Sequence, residues 1–139
     1  MGAGVKRAAM LALLVVASGA PAPAAQAVTL SVTAKCTEGD FSGKFTLRYD
    51  RGTEYRLVRG TGAAGPYIAD SGVMGVKVYH RVGSTQTAML ERTKSGLKSD
   101  EVGEVAVNGT RVPISGRAWL EVKFSDRGGA KCTGVANLR

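Results

Sequence analysis

From Val28 onward the chain alternates apolar and polar residues with a period of two, the signature of β-strands with one buried face. Val28, Leu30, Val32, Ala34 and Cys36 alternate with Thr29, Ser31, Thr33 and Lys35, which predicts a first strand with Cys36 on its inward side. Phe41, Gly43, Phe45, Leu47 and Tyr49 alternate with Ser42, Lys44, Thr46 and Arg48 in a second. Asp50-Arg51-Gly52-Thr53 has turn composition, and a third strand is predicted over 54–59. The glycine-rich segment 60–75, which carries Tyr67 and Ile68, reads as a long loop. Val76, Val78 and His80 alternate with Lys77, Tyr79 and Arg81, and 85–90 is expected to pair with them across Gly83-Ser84.

Toward the C-terminus a short helix is conceivable only over 94–102. Residues 104–107 and 110–114 flank Asn108-Gly109, a strong hairpin signal. Ala118, Leu120, Val122 and Phe124 alternate with Arg117, Trp119, Glu121 and Lys123, and Asp126-Arg127-Gly128-Gly129 turns the chain into a last strand bearing Cys132. Seven or eight short strands and no repeat predict an all-β fold, an antiparallel β-sandwich of immunoglobulin-like outline.

The preceding segment changes the setting. Lys6 and Arg7, an apolar run from Ala8 to Ala17 and the small-residue ending Ala25-Gln26-Ala27 form the three-part export pattern. The run is far shorter than the roughly 20 residues of a membrane span, and Pro21 and Pro23 follow it. Residues 1–27 are therefore expected to be a cleavable signal peptide, leaving 28–139 as one secreted domain with no membrane span. Without Lys6 and Arg7, 17 basic residues face 11 acidic ones, a formal charge of +6. Such a charge favours acidic partners, including an anionic surface polymer, although the bases are scattered.

Export permits oxidation. Cys36 and Cys132, the two cysteines of the chain, are expected to form a disulfide that pins the first strand beside the last. No CxxC spacing suggests a metal site.

Catalytic motifs are weak. Gly60-Thr61-Gly62-Ala63-Ala64-Gly65 matches a dinucleotide-binding pattern formally, but Pro66 stands where its helix should begin. Asp70-Ser71-Gly72 resembles a protease nucleophile motif, yet the one histidine, His80, lies mid-strand and is expected to be structural. Asn108-Gly109-Thr110 matches a glycosylation sequon that the turn explains more simply. The acidic groups Glu38/Asp40 and Asp100/Glu101/Glu104 carry no implied catalytic partner. No enzyme activity, cofactor, metal or specific nucleic-acid partner is expected.

Binding is the expected occupation. Trp119 falls in the outward register, where an indole exposes apolar surface, unless a bulge turns it into the core. Tyr67 and Ile68 occupy the long loop. Lys44, Arg48, Arg56 and Arg59 are candidates for a basic stripe, with Arg48 and Arg56 as its test positions. The closing run SGRAWLEVKFSDRGGAKCTGVANL, the alanine-rich leader and the end-placed cysteines resemble those of small exported proteins of high-GC Gram-positive bacteria. Among these, the adaptor component of secreted umbrella toxin particles is similar in size and β-rich character. The resemblance implies a non-enzymatic connector with an extracellular protein partner, and it transfers no residue role. The alternatives are a protease or glycosidase inhibitor presenting 60–75 and a binder of anionic cell-envelope polymer.

Overall fold

The computed structural model describes residues 27–139; the expected signal peptide lies outside the described residues but for Ala27. Nine strands, β1 (Val28–Glu38), β2 (Phe41–Arg51), β3 (Glu54–Gly65), β4 (Gly72–Val82), β5 (Thr85–Leu97), β6 (Gly103–Val105), β7 (Arg111–Pro113), β8 (Arg117–Ser125) and β9 (Lys131–Asn137), make two antiparallel sheets. The first sheet runs β1-β2-β3-β6, with β7 also on β3, and the second runs β5-β4-β8-β9. The fold is thus the expected all-β sandwich, with nine strands and this strand order of its own.

The alternating residues meet between the sheets. Phe45, Leu47, Tyr49 and Leu57 from the first sheet and Met74, Val76, Val78, Leu120, Val122 and Phe124 from the second are buried. Tyr49 stands edge-on to Tyr55 at 5.5 Å. Its hydroxyl donates to the Arg139 carbonyl and accepts from the Arg139 N–H, tying the chain end to the core.

Cys36 and Cys132 are disulfide-bonded, with Cα atoms 5.6 Å apart. The bond joins the β1 edge of one sheet to the β9 edge of the other, as expected. Between them a Cβ on Gly134 would lie 2.9 Å from the Lys35 carbonyl oxygen, so only glycine lets these edges approach.

Two turns carry Gly39 and Gly83 at φ of 58° and 59°. Each is the first central residue of a two-residue hairpin, where type II′ geometry demands a positive φ.

Three expectations are corrected. The glycine run is strand rather than loop: β3 continues to Gly65, paired with β2 and at 60–62 with β6. Its inward positions are small because Phe45 lies across them, its ring 2.6 Å and 2.7 Å from where Cβ atoms of Gly60 and Gly62 would stand. The connection to β4 is therefore only 66–71.

The segment 94–102 is not helical, since β5 extends to Leu97. Most of β5 is exposed on both faces, so no apolar period marked it.

The Asn108-Gly109 turn makes no hairpin. β6 and β7 do not pair with each other but both pair with β3, and Leu57 N–H bonds the Thr110 carbonyl at the break. Gly109 has φ 88° while Asn108 stays out of the left-handed region. One positive φ at the second central position fits a type II turn, not the type I′ turn of a tight hairpin.

Candidate partner-binding surface

The outward register of the second sheet sets Trp119 on β8 directly opposite Tyr79 on β4 and Asn137 on β9. Trp119 is half-buried on this face, toward the end where β8 begins and β9 finishes, and not in the core. Its ring stacks on Tyr79 with centroids 5.4 Å apart and planes 28° from parallel. The Arg117 guanidinium, two residues along the same strand, lies 5.0 Å from the ring centroid, a cation–π distance. Arg117 is held there by hydrogen bonds of 3.2 and 3.0 Å from its Nε and Nη2 to Asn137 Oδ1. Two strands and a guanidinium thus fix the indole, and little rotamer freedom is left to lose on binding.

Around this cluster the charges are unevenly matched. Lys77 faces Glu91 across the strands at 3.7 Å. Its ammonium is held above the ordinary lysine range first by the Tyr79 phenol and then by Glu91. Arg81 stands directly opposite Arg117, and neither forms an ion pair with a carboxylate among the described residues. Val135, 53 % exposed, adds an apolar edge.

The 66–71 connection is no exposed aromatic tip. Tyr67 is buried at 8 % exposure, edge-to-face with Phe41 at 5.6 Å and packed on Gly72, whose Cβ would meet its ring at 2.4 Å. The expected exposure of Tyr67 is corrected: its ring fills the end of the core that Gly72 leaves open. Burial, with the Asp126 carboxylate second, pushes its phenol up to about 12, and its hydroxyl has no hydrogen-bond partner among the described residues.

Ile68 is 51 % exposed, but its backbone is tied down. Its N–H donates to Asp126 at 3.2 Å, and the Ser71 hydroxyl donates to the same carboxylate. These bonds, Ser71 foremost, hold Asp126 below the ordinary carboxylate range.

The basic residues lie on the outer face of the first sheet. Arg48 stands opposite Arg59, and Lys44 opposite Lys35. Arg59 reaches Glu104 at 3.4 Å and Arg56 reaches Asp50 at 3.3 Å. The stripe is therefore partly neutralised on its β3 side.

His80 points inward and is buried, with Nε2 bonded to the Ser115 carbonyl. A carbonyl only accepts, so Nε2 carries the hydrogen. Ser71 lies just before β4 and His80 near its other end, a span of roughly 30 Å at about 3.3 Å per residue, so the two do not form a nucleophile–base pair. Among the described residues no three His, Cys, Asp or Glu side chains converge to hold a metal ion, and no helix is long and apolar enough to cross a membrane.

Sequence reasoning placed Trp119 outward but missed Tyr79 as its partner. Tyr79 shares the outward alternation, but which strand lies beside β8 is a fact of topology that periodicity does not carry. No family model and no curated protein matches the chain.

Proposed function

We propose that the chain is an exported, non-enzymatic binding module that docks a protein partner on the outer face of its second sheet. In its most specific form it is a connector within an extracellular assembly of the toxin type. The observation that carries this reading is the Tyr79–Trp119–Arg117 cluster, a pre-stacked aromatic pair held in place on an outer sheet face. Tryptophan, tyrosine and arginine are the residues enriched at binding hot spots, where loosely contributing neighbours exclude water from a central anchor. The opposed Arg81 and Arg117 specify the partner's chemistry: carboxylates beside an apolar side chain. The disulfide supports an oxidising, extracellular setting.

An inhibitory role for 60–75 finds less support, since most of that segment lies in β3 and β4 and Tyr67 is buried. Capture of partners from culture supernatant by the tagged secreted protein, followed by affinity measurement on Trp119→Ala and Tyr79→Ala variants, tests the proposal. Each variant should lose about 2 kcal/mol, roughly thirtyfold in affinity, while melting near the wild-type temperature. Unchanged binding in both, with loss on Arg48→Glu and Arg56→Glu, would move the site to the first sheet.

A further inference from the structure

The outer face of the first sheet has a chemistry of its own. Its central rows, read across β1, β2 and β3, are Ser31–Arg48–Arg59, Thr33–Thr46–Thr61 and Lys35–Lys44–Ala63. The tyrosines and phenylalanines of these strands, Phe41, Phe45, Tyr49 and Tyr55, are all buried on the other side.

Two of the rows oppose like charges on neighbouring strands, Arg48 to Arg59 and Lys35 to Lys44, an arrangement that costs stability. The second sheet has one such row, Arg81 opposite Arg117, beside the opposite-charge pair Lys77 and Glu91. On the first sheet Glu104 relieves Arg59, but Lys35, Lys44 and Arg48 have no carboxylate within ion-pair distance among the described residues. An external anion would supply what the fold withholds.

The cations are also spaced. Lys44 and Arg48 are four residues apart on β2, about 13 Å at about 3.3 Å per residue. Each borders a shallow recess. One of about 390 Å³ is lined by Lys35, Lys44, Ser42 and Ala63, with Asp100 as the acidic residue of its lining against the two lysines. Another of about 280 Å³ lies between Arg48 and Arg59 over Thr46 and Thr61. The hydroxyl row joins them, with Thr33 and Thr46 hydrogen-bonded at 3.1 Å.

We propose that this face binds an acidic polysaccharide lying along β2, its anionic groups at Lys35/Lys44 and at Arg48 and its hydroxyls on the threonine row. Charge complementarity selects an anion. The absence of an aromatic on the face disfavours single-stranded nucleic acid, which needs rings on which bases stack. Val102, 69 % exposed beside Arg48 and Arg59, is the apolar side chain lining the second recess, and without an aromatic beside it the face lacks the kind of anchor that dominates protein interfaces. The hydroxyl row matches a hydroxyl-bearing polymer. The site is separate from Trp119, so it stands whether or not the second sheet docks a protein.

The test is a binding titration of the secreted, disulfide-bonded protein with dextran sulfate and with polygalacturonate, which distinguish sulfate from carboxylate. Neutral dextran and a single-stranded oligonucleotide serve as comparisons. One or both acidic polysaccharides should bind, with affinity falling as salt rises, as counterion release requires. Neutral dextran should not bind, and the oligonucleotide should bind more weakly.

The triple substitution Lys35→Gln, Lys44→Gln, Arg48→Gln should weaken binding at least about tenfold, equal to about 1.4 kcal/mol, while melting at or above the wild-type temperature because like charges are removed. If it melts lower, Lys44→Gln alone carries the comparison. Lys35→Arg with Lys44→Arg should retain binding, and Trp119→Ala should leave it unchanged. No binding to either acidic polysaccharide, tighter binding of the oligonucleotide, an unaffected triple variant or an equal loss in Trp119→Ala would overturn the proposal.

Discussion

Gly62→Ala should destabilise the protein, and the sign of its effect separates a packed strand from a glycine-rich loop. An alanine methyl at this position would stand 2.7 Å from Phe45 Cδ2, 2.7 Å from Met74 Sδ and 3.1 Å from the Lys44 carbonyl oxygen. Phe45 and Met74 are fully buried. The methionine tip can shift. The phenylalanine ring has little room to slide away, because it is fully buried and its other edge lies over Gly60, where a Cβ would already stand 2.6 Å from it.

Overpacking of this kind costs about 1–3 kcal/mol, a fall in Tm of roughly 4–12 °C for a domain of this size. In an open loop the same substitution would stabilise by about 0.4–1 kcal/mol through the unfolded chain. Thermal denaturation monitored by circular dichroism reads the difference directly. Gly75→Ala is the control, since its nearest neighbour is 3.9 Å away. Phe45→Leu in the Gly62→Ala background should recover part of the loss, with a coupling of about 0.5–3 kcal/mol. A Gly62→Ala variant that melts at or above the wild-type temperature would refute the packing argument.

Replacing both Cys36 and Cys132 by alanine opens a loop of sequence separation 96 and should cost about 4–5 kcal/mol in urea denaturation, much of a stability that is typically about 5–15 kcal/mol; a loss under about 1 kcal/mol would contradict this. Tyr67→Phe should keep or raise stability, because the hydroxyl it removes is buried without a partner. The raised Tyr67 phenol also makes stability decline from about pH 10, where the unfolded chain ionises, toward about 12; the tyrosinate absorbance that Tyr67 contributes near pH 12 should be lost in Tyr67→Phe. Asp126 is depressed in the folded state, so its stabilisation is present above the unfolded carboxylate pKa and disappears as pH falls through the lower folded value. Asp126→Ala should therefore lower Tm at neutral pH and match wild type in strong acid.

β2 and β8 were legible because each buries every second side chain, and β1 because its apolar alternation survives even though only Ala34 is fully buried. β3 was legible only to Arg59. Beyond it the inward space is filled by the Phe45 ring of the neighbouring strand β2, so the inward residues had to be Gly60 and Gly62, which carry no apolar signal. β5 was read as far as Leu90, where it pairs with β4 as expected, but its extension to Leu97 escaped for the opposite reason: it is an edge whose backbone pairs with β4 while most of its side chains stay wet. The outward placement of Trp119 followed from alternation alone. Tyr67 did not, because its burial depends on the vacancy at Gly72 and on the ring of Phe41, neither of which local pattern reports.

A connector must hold two ligands at once without letting them compete, and the two-sheet architecture meets that condition. The proposed protein site and the proposed polysaccharide site lie on outer faces that look away from each other across the core. On one side of the sandwich the Cys36–Cys132 bond and the close approach of β1 and β9 at Gly134 lock the sheets together. On the other, Arg92 of β5 donates to the Ala106 carbonyl between β6 and β7 at 2.9 Å. With both sides tied, occupation of one face leaves the geometry of the other intact. Polymer binding would then act through effective concentration: the protein held along a surface polymer meets its partner as a neighbour, and two modest affinities combine without any new contact. Independence is measurable, since saturating dextran sulfate should leave the affinity of the captured partner for the isolated protein unchanged. A shift of tenfold in either direction would mean that the faces are coupled or shared.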